Sequence, residues 1–206
     1  CPHGFILHMD GYVVKVGGSL AEILPDLVQV LKMCGKKIVI VPGGGAGADA
    51  VRLLDPDPDS AHWMAISAME QYGHRIASLG IPAVDSPGEI NRPTVLLPYC
   101  LLRKEDPLPH TWNVTSDTIA AWVAFRYKLP LIVLKSVDGI ISGGENVATI
   151  QSPIATNTVD SAFIPFILEH KVKTVVINGR KAETVRRALR GDFSAGTHIP
   201  SRTEEL

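Results

Sequence analysis

The sequence predicts an α/β protein built on a mainly parallel sheet whose two faces are both covered by helices. Three observations carry that reading. Val- and Ile-rich runs at residues 13–16, 38–41, 131–134 and 174–177 show no polar alternation, segments of helical composition separate them, and the first two runs break directly into glycines. A continuous apolar run suits a strand buried on both faces, and strands separated by helices need crossover connections, which give parallel neighbours.

The elements follow in order. The first strand, residues 13–16, runs into Gly17-Gly18-Ser19 and carries one charged residue, Lys15. The second, residues 38–41, opens into Pro42-Gly43-Gly44-Gly45, and residues 46–54 have helical composition. After Pro56 and Pro58, Ser60 can cap a long helix towards Leu79, stopped by Gly80 and Pro82. Residues 94–97 form a short strand, and Pro98, Pro107 and Pro109 mark an irregular connection. Thr115 or Ser116 caps a helix through Tyr127, and residues 131–134 are the next buried strand. Asp138-Gly139 and Gly143-Gly144 bracket a hairpin turn leading to residues 147–150. Thr158 starts a helix to about Glu169, followed by a strand at 174–177, a helix at 182–189 and a closing strand at 196–199.

Composition sets the outer limits on function. The 206 residues suffice for one domain with a sizeable core, and 46% hydrophobic with 20% charged residues is ordinary for a globular chain. A formal charge of −1 without basic tracts disfavours a nucleic-acid or acidic-membrane partner. No apolar run approaches the roughly 20 residues that span a bilayer. Cys1, Cys34 and Cys100 lack metal-ligand spacing, which points to a reducing cytoplasmic interior. Because His8-Met9 resembles a cloning junction and the strand pattern starts just after it, residues 1–8 are read as a vector-derived remnant and residues 9–206 as a single domain.

Three constellations carry chemistry. An ammonium in a buried strand is expensive to desolvate unless it meets an anion, so Lys15 is a candidate phosphate-facing charge; a lysine guarding a sheet edge before an ordinary turn is the alternative. Gly17 and Gly18 let backbone N–H groups approach that anion with no Cβ in the way. Gly43, Gly44 and Gly45 repeat the design, with a helix N-terminus behind them. Two such units in the first quarter of the chain favour a phosphate-handling enzyme over turn chemistry. The third constellation is Asn113-Val114-Thr115-Ser116-Asp117 at the opening of a helix, where Asn113 and Asp117 can face one site. Asp117 either complements the helix dipole, worth about 0.3–1 kcal/mol, or fixes a lysine or a metal-bound nucleotide.

In this order, Lys15 to Ser19, Pro42 to Gly45 and Asn113 to Asp117 resemble the signature elements of the amino acid kinase superfamily. Within it the chain is most similar to the (aminomethylfuranyl)methyl phosphate kinases of methanofuran biosynthesis, through His110-Thr111-Trp112, Ser136-Val137-Asp138-Gly139-Ile140, Thr158-Val159-Asp160 and Val176-Ile177-Asn178-Gly179-Arg180. The resemblance implies a three-layer αβα sandwich, an acceptor site in the N-terminal part and a nucleotide site in the C-terminal part. It implies transfer of the ATP γ-phosphoryl group, with Mg2+ on the nucleotide phosphates, to a small phosphorylated acceptor. It casts Lys15 as the charge that stabilises the transferring group and Asp117 as the residue that orients it. Gly17, Gly18, Gly43, Gly44, Gly45, Asn113, Thr115 and Ser116 would hold substrate phosphate, and Gly17, Lys135, Ser136, Asp138 and Gly139 would lie at the nucleotide. Metal ligands from the protein are not implied, and homo-oligomerisation is expected from the fold alone.

One departure stands out. Many superfamily members bring a second phosphate-directed lysine from the helix after the nucleotide hairpin, whereas residues 159–168 contain none. Lys135 or Arg180 can replace it; a surface lysine ending a strand is the other reading of Lys135. His62 is either a polar residue of a first helical turn or an acceptor contact, and His110 either fixes the connection before the helix or joins the site. Gly45-x-Gly47-x-x-Ala50 also matches a dinucleotide fingerprint, but the acidic end of a following strand is missing. Uridylate kinase and isopentenyl phosphate kinase are related alternatives. The glycine loop of isopentenyl phosphate kinase carries a histidine, where Ala46 follows Gly45 here. A molybdenum storage protein of the same fold is the non-enzymatic alternative.

Overall fold

A computed structural model describes residues 11–88 and 90–201. Nine strands are found among them: β1 (Gly11–Val16), β2 (Lys37–Pro42), β3 (Ala83–Val84), β4 (Thr94–Leu96), β5 (Leu131–Lys135), β6 (Ile140–Ser142), β7 (Glu145–Val147), β8 (Thr174–Asn178) and β9 (Thr197–Ile199). Seven make one sheet in the order β3-β4-β2-β1-β5-β8-β9, parallel throughout except for β9, and β6 pairs with β7 as a separate hairpin. Strand β1 is central, with Lys15 in register with Val41 on one side and Val133 on the other.

Alternate residues of each strand feed two cores. Val13, Val39, Val41, Val133 and Val176 face α5 (Ser116–Tyr127) and α6 (Phe163–His170). Val14, Ile40, Ile132, Leu134 and Ile177 face α1 (Leu24–Met33) and α7 (Ala182–Leu189). The result is the expected αβα sandwich. The sequence order turns outward in opposite directions from β1 and β5, and in such sheets ligands bind beyond the carboxyl ends of the strands at that reversal.

Several elements differ from the sequence expectation. Helix α3 (Pro58–Ala77) is capped by Asp57, whose carboxylate accepts the Ser60 N–H at 3.1 Å, so Ser60 lies inside the first turn. The stretch after Pro98 is a helix, α4 (Pro98–Glu105), because proline is tolerated in the first turn, where its missing N–H would have had no partner. Helix α6 begins at Phe163, and residues 158–162 form the loop before it. The hairpin turns on Gly143-Gly144, both at positive φ, and β7 ends at Val147 rather than extending to residue 150. Helices α1 and α2 (Gly45–Leu54) complete the set; α1, with Leu24, Leu27, Val28 and Leu31 on one face, and β3 have no counterpart in the sequence reading. The remnant assigned to residues 1–8 lies outside the described residues. No helix among the described residues is long and apolar enough to cross a membrane.

Candidate active site

Lys15 and Lys135 lie near the carboxyl ends of adjacent strands, on the face covered by α5. Asp117, in the first turn of α5, stands between them. Its Oδ1 is 2.8 Å from Lys15 Nζ and its Oδ2 accepts a hydrogen bond from Lys135 Nζ at 2.7 Å. Lys15 and Asp117 are 4% and 3% exposed, so this charge cluster is removed from water. Burial pushes the Asp117 carboxyl up, but the two ammonium groups outweigh it and hold the group below its ordinary value. Burial lowers Lys135, helped by repulsion from Lys15 and opposed by Asp117. Two ammonium groups sharing one carboxylate leave positive charge in excess at the strand ends.

The first turn of α5 is fastened from elsewhere in the chain. Thr115 occupies the N-cap position, yet its own side chain does not cap the helix. The Asp160 carboxylate, from the loop before α6, accepts hydrogen bonds from Thr115 N–H at 2.9 Å, Thr115 Oγ1 at 2.8 Å, Thr118 N–H at 3.0 Å and the Thr118 hydroxyl. Its charge is thereby committed to the helix N-terminus, and the anchor fixes where Asp117 points.

Above the lysines, the two glycine loops press together. A Cβ on Gly18 would land on Gly45 Cα, and one on Gly43 would come within 3.2 Å of Gly17 Cα. Gly45 sits at φ 52°, a conformation that side chains disfavour, and opens α2. Gly43 N–H donates to Val16 C=O at 2.8 Å, tying the second loop to β1, and Tyr72 Oη, on α3, donates to Gly17 C=O at 3.3 Å, tying the first loop to that helix. A Cβ on Gly17 would lie 3.2 Å from Lys15 Nζ, so the ammonium lies directly beneath the loop.

Two cavities meet at the exposed Ser19, which lines both. The larger, about 880 Å³, is lined on one side by the glycine loops and the start of α5, with Gly18, Gly44, Gly45, Thr115 and Ser116, and elsewhere by His62, Met69 and Trp112. The smaller, about 660 Å³, is lined by Lys135, Ser136, the β6–β7 turn and residues 155–158. Gly17 and Gly43 lie behind this lining, supporting the loops. Asn113 lines neither cavity; its C=O accepts the Ala162 N–H at 3.1 Å and ties α5 to α6. Asp138 is turned away to Lys181 Nζ at 2.6 Å and Asn178 Nδ2 at 3.0 Å, and Gly139 is packed against Thr197. Between the two candidates for a second lysine, Lys135 is at the carboxylate while Arg180 is exposed.

The sequence reading assigned no pairing to His62 and His110. Their rings stack at 3.9 Å between centroids and 17° between planes on the wall of the larger cavity. His110 bridges Asp59 at 2.6 Å and Asp106 at 2.9 Å, and these hydrogen bonds, with Asp106 the stronger influence, raise its pKa. Burial, together with the neighbouring His110, lowers His62 to about 4, so His62 is neutral at physiological pH. His62, Asp106 and His110 offer ligand atoms within 4.8 Å of one another. Imidazole lone pairs lie in the ring plane, however, and stacked rings do not aim them at one ion. The only sequence hint of the pair was two histidines flanking proline-marked breaks.

Chemically, a buried cationic pair under two amide-rich loops, with Lys135 lining the smaller cavity and the loops lining the larger, can hold a highly charged oxyanion between two ligands. A model of the amino acid kinase family matches residues 11–182. The [5-(aminomethyl)furan-3-yl]methyl phosphate kinase of Methanocaldococcus jannaschii is 31% identical over 209 residues, covering 91% of this chain and 97% of that one. Among solved structures, the uridylate kinase of Archaeoglobus fulgidus superposes with a TM-score of 0.70 at 20% identity, over 92% of this chain and 99% of its own. An isopentenyl phosphate kinase superposes with a TM-score of 0.64 at 14% identity, over 93% and 100%.

Proposed function

The chain belongs to the amino acid kinase family, and on that premise we propose that it transfers the γ-phosphoryl group of ATP to the phosphate of a small acceptor, [5-(aminomethyl)furan-3-yl]methyl phosphate, giving a diphosphate and ADP. The observation that carries the reading is the Lys15–Asp117–Lys135 cluster, whose excess positive charge lies beneath the glycine loops and reaches the smaller cavity through Lys135. The larger cavity holds the acceptor and the smaller holds ATP, which divides the single domain of residues 9–206 into an N-terminal acceptor part and a C-terminal nucleotide part.

An acceptor phosphate oxygen is already a nucleophile at neutral pH, so no side chain has to remove a proton. It attacks the γ-phosphorus in line as the bond to the β-phosphate oxygen breaks and ADP leaves. Lys15 and Lys135 stabilise the charge on the equatorial oxygens, and the amides of Gly18, Gly44 and Gly45, with Thr115 and Ser116, align the phosphates. Asp117 holds the two ammonium groups at a fixed separation. Gly17 and Gly43 keep the loops closed over them, and Ser136 lies beside the nucleotide. The lining of the smaller cavity offers hydroxyls and amides but no carboxylate, which fits Mg2+ held through nucleotide phosphates. Mg2+ on those phosphates neutralises charge during transfer. We place the protein in the cytoplasm as a homo-oligomer.

Phosphorus NMR with Mg-ATP tests the reading. A new diphosphate signal with the furan monophosphate, and none with UMP or isopentenyl phosphate, is the expected result; the reverse pattern overturns it.

A further inference from the structure

The larger cavity is electrically lopsided. One end is formed by the glycine loops that cover the Lys15–Asp117–Lys135 cluster, whereas the lining elsewhere carries the carboxylates of Asp49, on α2, and Asp55, at its C-cap, with Arg52 between them. Arg52 lies three residues from each, and from Asp49 that is the spacing at which helical side chains pair. It pairs with neither. Its guanidinium carbon stands 4.2 Å over the Trp112 ring, and among the described residues neither acid has an ion-pair partner. An unpaired carboxylate beside a phosphate site repels an ordinary phosphate ester. It is complementary to one that carries a cation at the correct distance.

Resting on the acceptor reading above, we infer that Asp49 is the specificity-determining residue for a primary ammonium group on the acceptor. Asp49 follows Gly45 by four residues, a helical rise of about 6 Å. In an aminomethylfuran-methyl phosphate, roughly six bonds of about 1.5 Å, folded by the ring, separate the phosphate oxygen from the nitrogen, which gives a similar reach. Asp55 lies ten residues from Gly45, about 15 Å along the axis, and is out of range. The cavity therefore selects zwitterionic phosphate monoesters over esters whose far end is neutral.

The test compares KM for the aminomethyl acceptor and for its hydroxymethyl counterpart, with saturating Mg-ATP, in the wild type, Asp49→Asn and Asp55→Asn. Both substitutions are at exposed positions. The wild type should prefer the amine by about tenfold, the scale of one charged hydrogen bond. Asp49→Asn should remove most of that preference, and Asp55→Asn should keep it. Equal KM values in the wild type, a preference that survives Asp49→Asn, or equal losses in both variants would overturn the inference while the kinase reading stands. Turnover of UMP or isopentenyl phosphate but of neither furan would overturn both.

Discussion

Lys135 Nζ lies 2.7 Å from Asp117 Oδ2, on the carboxylate oxygen opposite the one that faces Lys15 at 2.8 Å. One carboxylate thus sets the spacing of two ammonium groups. The second comes from the end of β5 rather than from α6, which contains no lysine.

The first prediction concerns pH. Because burial and Lys15 lower the Lys135 pKa, its charged form is lost below the ordinary lysine value of about 10.4. Turnover should decline on the alkaline side at a pH below that value. In Lys135→Arg, which stays charged, the alkaline decline should move upward. A pH profile of kcat checks this, and identical profiles would exclude Lys135 from the chemistry.

Lys15→Ala should leave a folded protein with turnover lowered by about 10²–10³, the scale for one preorganised donor. Saturating kinetics and thermal unfolding on one preparation separate the two effects. Full turnover would make Lys15 a structural lysine.

Asp117→Asn should lower turnover at least about tenfold, since the amide loses the charge that holds both lysines. It also alters acid stability. A carboxylate whose folded pKa lies below its unfolded value contributes stability above about pH 4 that disappears as pH falls through the folded value. The variant should lack that part of the acid transition, and urea midpoints measured between neutral and acid pH report it.

Gly18→Ala drives a methyl group into Gly45 Cα, backbone that cannot rotate away. Separation of the loops should cost about 1–3 kcal/mol and most of the turnover. Retained activity with an unchanged unfolding midpoint would show that the loops need not touch.

The stacked histidines should titrate far apart by NMR, His62 at about 4 and His110 above its ordinary value. Stability from the His110 bridge is complete below the unfolded pKa of about 6.5 and is lost as pH rises through the higher folded value. Asp106→Asn, which removes the stronger partner, should bring the His110 titration down.

Much of the site was legible because it is local. Lys15, the glycine loops and Asp117 each lie in short motifs whose residue types suit an anion, and the structure brings them together. What escaped is made by partners distant in sequence. Asp160 stood in a recognisable Thr158-Val159-Asp160 motif, but nothing local reveals that its carboxylate caps a helix beginning at Ser116. The His62–His110 stack depends on how α3 meets the loop before α5, and the Lys135 contact on the pairing of β1 with β5. Helix α4 was hidden by prolines that read as breaks, although at a helix start they are compatible with it.

The central position of β1 has a consequence for biosynthesis. Its two neighbours are made at different times: β2 at residues 37–42 and β5 only at 131–135, so one edge of the strand bearing Lys15 stays open while nearly a hundred further residues are synthesised, on the order of 10 s at typical elongation rates. The Asp160 anchor arrives later still. On the ribosome, the emerging chain therefore carries an apolar unpaired edge, the kind that invites misassociation, and the anchor that fixes Asp117 beside Lys15 cannot form until the polypeptide has passed residue 160.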